Sequence, residues 1–390
     1  MGSQVKMAVE TITQLTIKGY KSIRDLENFE LRRFNVLVGA NGSGKSNFID
    51  FFRMLNFMFN STQGSLQLYV ARKGRASSLL HYGSKTTRYM DACVQFDGDR
   101  QWSRYSFSLS WGAPDDLHFA SELLEYQRDG KDHGPRQKQL GSAHLESAVL
   151  READSRGDVA VASVAKVFRN RLRQVQVYHF HDTSDEANIR LTQSLDRDDY
   201  LMSHAGNLAV FLHHLKENKP THYKRILSNV QIVAPYIRDF VVEPLLANDR
   251  FVLLRWKDRS GEIFEPNQLS DGTIRAIALI TALLQPDESM PSIMLFDEPE
   301  LGLHPAAIGL IASLLEAAAE KRQIIVATQS PILIRSYRPE DVIVVERSED
   351  AKGKGESLFK RLDSVSLEFW LKDFDLGELY EKNVTGGGAQ

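Results

Sequence analysis

Cysteine is almost absent: Cys93 stands alone among 390 residues. That excludes an internal disulfide framework and a zinc site built on several thiolates, and it fits a reducing, cytoplasmic setting. Long apolar runs are missing too. Nothing approaches the ~20 residues needed to cross a bilayer, so no membrane partner is expected. Met1–Val9 lacks the apolar stretch of a secretory signal; residues 1–7 read as a tag remnant, with Met7 as the natural start. Charge of one sign is also lacking. Lys and Arg number 48 against 51 Asp and Glu, a net of −3, so the total does not announce a nucleic-acid binder, while a local basic face stays open. No heptad is sustained and no internal repeat is visible. What remains is an ordinary globular composition, 42% hydrophobic and 25% charged, long enough for two or three modules of ~150 residues each.

The informative segments begin early. Residues 14–18 alternate as a strand, Leu26–Leu31 suggests a second, and Phe34–Val38 is apolar throughout, as a strand buried on both faces would be. That strand runs into Gly39-Ala40-Asn41-Gly42-Ser43-Gly44-Lys45-Ser46, followed by a helical pattern from Asn47 to Phe59. This is the phosphate-binding loop in its required strand–loop–helix context. Glycines let backbone N–H groups wrap a phosphate, and the helix N-terminus adds its positive end. Asn41, Gly42, Ser43, Gly44, Lys45, Ser46 and Asn47 are therefore candidate nucleotide-binding residues. Lys45 would reach the β- and γ-phosphates, and the Ser46 hydroxyl would ligate Mg²⁺.

Residues 66–110 read as further β structure, with Gly98 in a turn between the alternating runs 91–96 and 104–109. Cys93 falls on one face of such a strand, as a packed thiol. Residues 128–158 are polar and suggest a loop. Val161–Gln174 is helical, with Arg169, Arg171 and Arg173 either on a solvated face or facing DNA. Val175–Asp182 reads as a strand with a polar end, where His179 and His181 alternate; packing and hydrogen-bonding roles near a nucleotide are favoured over a zinc site. Residues 205–230 are helical, and Phe251–Trp256 is read as one strand.

Near the C-terminus, Leu269-Ser270-Asp271-Gly272-Thr273 opens an apolar helix (Ile274–Leu284), where Ser270 also suits an N-cap. Ile293-Met294-Leu295-Phe296-Asp297-Glu298 is a buried strand that delivers two carboxylates at its C-terminal end, the end at which open α/β sheets bind ligands. Asp297 would hold Mg²⁺ through water, and Glu298 would act as general base. A helix from Ala306 to Lys321 and a second buried strand ending in Thr328-Gln329-Ser330-Pro331 follow.

These motifs, in this order, resemble the RecF/SMC/OLD branch of ABC-type ATPases. Gly19-Tyr20-Lys21-Ser22 and Leu79-Leu80-His81-Tyr82-Gly83 resemble segments of SMC N-lobes. Ser270–Thr273, Asp297-Glu298-Pro299-Glu300-Leu301-Gly302-Leu303-His304-Pro305 and Thr328–Pro331 resemble the OLD-like predicted ATPases. The resemblance spans roughly residues 12–385. It implies an α/β ABC-type head: a P-loop mixed sheet, an antiparallel β subdomain and a helical insertion. The expected segments are 8–130 (N-lobe), 131–235 (helical insertion) and 236–390 (C-lobe).

The resemblance also implies ATP and Mg²⁺ as cofactors and a head-to-tail dimer or higher homo-oligomer. In such a dimer Ser270 and Gly272 of one copy close over the γ-phosphate held by another. The segment Pro299–Pro305, with His304, occupies the D-loop. Gln329 stands where many relatives carry a switch histidine; it hydrogen-bonds there but does not titrate. The region of Gln127 is the candidate glutamine loop. After Ser330 too little chain remains for the Toprim domain of OLD nucleases, and Val342–Glu346 reads as a final strand and hairpin. The long coiled-coil arm of SMC proteins is missing as well. By analogy such a head works with a separately encoded effector, a nuclease in bacterial anti-phage defence. The alternatives are a RecF-like DNA-loading ATPase, with DNA as partner, and an ATP-controlled assembly scaffold.

Overall fold

The computed structural model describes residues 11–60, 65–98, 101–127, 134–196, 200–349 and 354–388; the tag reading at residues 1–7 lies outside them. In chain order, β1 (Thr11–Tyr20) and β2 (Ile23–Glu30) form a hairpin, and β3 (Phe34–Val38) leads through the phosphate loop to α1 (Lys45–Phe59). The short helices α2 (Leu66–Arg72) and α3 (Ala76–Leu79) precede the meander β4 (Tyr89–Asp97), β5 (Trp102–Gly112), β6 (Asp116–Gln127) and β7 (Arg136–Gly141). Next come α4 (Val149–Ala153), α5 (Val159–Arg173), β8 (Val175–Tyr178), β9 (Gln193–Ser194), α6 (Leu208–Asn218) and α7 (Pro220–Val233). The remainder holds β10 (Ile237–Val241), β11 (Phe251–Val252), β12 (Arg255–Asp258), β13 (Ile263–Phe264), α8 (Asp271–Leu284), β14 (Ile293–Asp297), α9 (Pro305–Ala319) and β15 (Gln323–Thr328). It ends with α10 (Pro331–Ile334), β16 (Val342–Glu349), β17 (Gly355–Arg361), α11 (Ser364–Leu367) and α12 (Leu376–Glu381).

Two six-stranded sheets carry the architecture. The first is antiparallel, in the order β2-β1-β4-β5-β6-β7; the second runs β17-β16-β3-β15-β14-β8. In the second, β16, β3, β15, β14 and β8 are all parallel, and only β17 is antiparallel. Parallel strands covered on both faces read as unbroken apolar runs, and β3 and β15 are buried at every position. Their side chains divide between two cores. Val36, Met294, Phe296, Ile324 and Val326 pack with α8 and α9 residues on one face. Leu37, Leu295, Ile325 and Ala327 pack on the other with the phenylalanines of α1 and the antiparallel sheet. Gln323 stitches the two sheets together: its amide accepts from Ile12 N (3.0 Å) and donates to Ile12 O (2.8 Å). Residues 131–235 hold α4 to α7 and also supply β7 to one sheet and β8 to the other.

Several expectations need correction. The stretch 66–80 is helical, not β: Ser65 caps α2 by accepting from Leu68 N, and Leu66, Tyr69 and Val70 form its buried face at helical spacing. Residues 251–256 are two strands in different sheets, because β11 pairs with β9 and β12 with β10. The polar stretch 128–158 contains an edge strand and a helix besides loop, since β7 extends the meander. The helical region 205–230 is broken at Lys219-Pro220, where proline starts α7 at a position that needs no N–H donor. The expected closing hairpin is present as β16–β17. No helix among the described residues is long and apolar enough to cross a membrane.

Candidate nucleotide-binding and hydrolysis site

Because β3, β8, β14 and β15 run parallel, their C-terminal ends open on one edge of the sheet. The phosphate loop, His179–His181, Asp297-Glu298 and Gln329 are all delivered there. The loop itself is tightly held. Gly44 has φ 115°, and a Cβ on it would lie 2.0 Å from Ser357 Oγ; a Cβ on Gly39 would lie 2.2 Å from Val345 O. Ser357 Oγ donates to Ser43 O (2.6 Å) and lies 2.7 Å from Ser22 Oγ, which also accepts from the Asn47 amide (2.7 Å). Strand β17 and the Gly19–Ser22 segment thus brace the loop from opposite ends of the chain. Lys45 is buried, and its Nζ donates to the carbonyls of Gly39 and Ala40. Burial lowers its pKa, against the pull of Glu298, Asp297 and Glu300.

The acids stand beside this loop. Burial raises the pKa of Asp297, while His181, the Ser46 hydroxyl that hydrogen-bonds it, Arg53 and Lys45 hold it down. Ser46 and Asp297, expected as metal ligands, are thereby brought together. Glu298 follows the strand with φ 46°, a left-handed conformation rare for such a side chain and concentrated at functional sites. Its N–H donates to Ala327 O (2.8 Å), and its Oε1 accepts from the Gln329 amide (3.1 Å). Gln329 therefore touches the candidate base itself. Glu300, to which no role was given, accepts from the Thr328 hydroxyl, and burial raises its pKa.

The fit to a nucleotide and Mg²⁺ rests on this loop. Ser43 Oγ is buried with no hydrogen-bond partner, in a loop where Gly39 and Gly44 leave no room for a Cβ. A hydroxyl (Ser46) and a carboxylate (Asp297) suit a hard cation that takes oxygen ligands. Among the described residues, no group of three or more His, Cys, Asp or Glu could hold a metal by itself. His179 and His181 instead stack at 3.9 Å, with His181 Nε2 at 3.2 Å from Asp297 O.

The segment opened by Ser270 lies beside the Pro299–Pro305 segment of its own chain. Ser270 caps α8, accepting from Thr273 N (3.2 Å); the Ser270 and Thr273 hydroxyls lie 2.9 Å apart, and Tyr236 OH reaches Thr273 Oγ1 at 3.1 Å. A Cβ on Gly272 would meet Gly302 O at 2.3 Å, which explains this glycine by close backbone approach. Arg275, one turn along α8, donates to Phe180 O, His181 O and Leu301 O and so ties the helix to the loop after β8 and to the Pro299–Pro305 segment. His304 caps α9, its Nδ1 accepting from Ala306 N (3.3 Å).

Gln127 lies elsewhere. At the end of β6 its Oε1 accepts from Trp102 Nε1 (2.9 Å), and it lines a groove with Ser163, Val164 and Val167 of α5. The meander carries it away from the phosphate-binding edge. Sequence reasoning also missed Asp50, buried four residues after Ser46. Burial opposes its charge, yet Lys21, Lys73 (2.7 Å) and the Tyr69 hydroxyl (2.6 Å) hold its pKa well below the usual carboxylate range. With Arg53 at 3.0 Å it anchors the Gly19–Ser22 segment onto α1. The lysines were visible, but no sequence spacing joins them. Cys93 is half-buried and burial raises its pKa, which leaves an inert thiol.

The fold is that of an ABC-type ATPase head of the SMC kind. The chain belongs to the family described as "AAA domain, putative AbiEii toxin, Type IV TA system", whose profile matches residues 34–83 and 94–335. No curated protein sequence matches it significantly. Among solved structures it is similar to an SMC head bound to the C-terminal winged-helix domain of ScpA, at TM-score 0.56 and 16% identity over 91% of this chain and 99% of that one. It is also similar to an SMC head with an extended coiled coil bound to the C-terminal domain of ScpA from Pyrococcus furiosus, at TM-score 0.51 and 15% identity over 93% and 99%.

Proposed function

We propose that the protein binds and hydrolyses ATP at a site completed by a second copy, and that this closure controls a separately encoded effector, a nuclease in anti-phage defence. The observation that carries the catalytic half is the meeting of Ser46, Asp297, Glu298 and Gln329 at the phosphate loop. Backbone N–H groups and Lys45 hold the β- and γ-phosphates, at the place where Lys45 now bonds loop carbonyls. Ser46 and Asp297 would hold Mg²⁺, which when bound neutralises charge on the transferring phosphoryl group. Glu298, fixed by its left-handed backbone and by the Gln329 amide, takes the proton of the attacking water. Ser270 and Gly272 lie on the D-loop side of their own chain, so their role toward a γ-phosphate belongs to a head-to-tail partner. His304, at the start of α9, borders that contact.

The effector half is supported by kinship. The family description names a putative AbiEii toxin of a type IV toxin–antitoxin system. SMC heads of the same fold are seen with a domain of ScpA bound, so this fold carries protein partners. Glu298→Gln in the presence of Mg·ATP tests the core of the reading. Turnover is expected to fall about 10²- to 10⁴-fold, and the protein should sediment as a dimer that reverts to monomer without ATP. Unchanged turnover, or a monomer at saturating ATP, refutes it. Recovery of a nuclease with the ATP-bound dimer, and not with Lys45→Ala, tests the effector.

A further inference from the structure

The helix that opens at Ser270 carries a fixed negative charge in its first turn, where helices favour acidic side chains. A helix N-terminus attracts anions through its free N–H groups and positive dipole end, and the first residue of α8 is Asp271, whose side chain is 62% exposed. An unneutralised carboxylate there would oppose any triphosphate brought to Ser270. Arg190, with only 3% of its side chain exposed, answers it: Nη2 donates to Asp271 Oδ1 at 2.8 Å. Its Nε and Nη1 donors are spent on carbonyls: Nε on Thr183 O (2.7 Å), Nη1 on Pro266 O (2.5 Å) and Leu269 O (3.1 Å). Pro266 and Leu269 belong to the turn that delivers Ser270.

We infer that Arg190 is a positioning and charge-setting residue for the face around Ser270: it fixes the turn before α8 and cancels Asp271, so that this face accepts the γ-phosphate of a nucleotide held by a second copy. The inference rests on the shared-site reading proposed above. Asp271 is held as the carboxylate chiefly by the hydrogen bond from Arg190, against desolvation and with help from the Thr183 hydroxyl and the Arg275 charge. The pair is therefore neutral as a unit, and the N–H groups of α8, with the Arg275 charge one turn along, are left as the net attraction. A buried guanidinium held by three carbonyls keeps its orientation without Asp271, whereas Asp271 without Arg190 loses its main partner and keeps only the Thr183 hydroxyl and the Arg275 charge. Asp271→Asn is thus predicted to restore most of what is lost with Arg190, which a purely structural role for Arg190 would not allow, since the carbonyls it holds stay unpaired.

The experiment compares dimer dissociation constants at saturating Mg·ATP by sedimentation, all in the Glu298→Gln background, for Arg190→Met, Asp271→Asn and the double variant. Arg190→Met is expected to weaken the dimer about tenfold or more, with Asp271→Asn restoring most of that loss. Asp271→Asn alone is expected to dimerise at least as tightly as its parent, with the gain shrinking as salt rises. An unweakened Arg190→Met dimer, or a loss that Asp271→Asn does not restore, overturns the inference. If Arg190→Met does not fold, Asp271→Asn decides alone: a looser dimer than the parent's overturns it. Should the Glu298→Gln parent itself fail to dimerise, the shared-site reading falls instead, which separates the two failures.

Discussion

The two halves of the proposed site are built differently. The phosphate-loop half is buried and braced over long range: Ser22 and Ser357 hold the loop, Val345 abuts Gly39, and Asp50 gathers Lys21, Arg53 and Lys73 behind α1. The half around Ser270 is exposed, held by a local N-cap and by side chains reaching in from other segments, a Thr273–Tyr236 hydroxyl contact and two arginines clamping loops. In the proposed reading the first is a preformed phosphate loop, and the second offers only a surface. A preformed pocket plus a presented surface is the arrangement expected when a second copy must arrive before chemistry begins.

Variants can break or sharpen that contrast. The largest effect falls on the preformed half. Lys45→Ala should reduce ATP affinity at least about 100-fold, the loss of charge-assisted bonds to phosphate, with little change in the melting curve; titration calorimetry reads it. Gly44→Ala should reduce stability by about 2–4 kcal/mol, because a left-handed φ and a Cβ at Ser357 Oγ are both imposed; denaturant unfolding checks this. On the presented half, Tyr236→Phe keeps the ring packed on Trp256 and removes only the hydroxyl at Thr273. It should weaken ATP-dependent dimerisation only a few-fold, about 0.5–1 kcal/mol, leaving monomer ATP affinity unchanged. An equal loss of both would erase the distinction between the halves.

The smallest effect concerns pH. Burial, then His181 and Arg53, lowers the pKa of His179 to about 4. The unfolded chain takes up this proton near the ordinary histidine pKa of ~6.5, and the folded chain does not. Stability from this group is therefore unaffected above that pH and declines as pH falls toward 4. Its exposed ring face limits the change to under about 1 kcal/mol. His179→Asn should flatten that part of the stability–pH profile, and an unchanged slope would contradict the assignment.

Much of the site was legible because its chemistry is local in sequence. The phosphate loop needs glycines at fixed offsets between a strand and a helix, and β14 and β15 announce themselves as apolar runs that stop at polar ends. What the sequence could not reveal depends on tertiary approach. Ser357 meets Gly44 across more than three hundred residues, and Arg190 finds Asp271 only because the loop after β8 folds over the turn at Pro266. Glu298's strained backbone has no sequence signal at all. Helices α2 and α3 were misread because short segments carry weak periodicity, and Gln127 was misplaced because a glutamine ending a strand looks alike at either end of a sheet.

Complementation tests the shared site most directly. Lys45→Ala and a Ser270→Arg variant should each be inactive alone. In their head-to-tail heterodimer, one site collects both lesions and the other collects none. The account predicts that mixing the two inactive proteins restores ATP turnover well above the sum of the parents. Turnover that stays at that sum, or a Ser270→Arg variant as active as the unaltered protein, would contradict it.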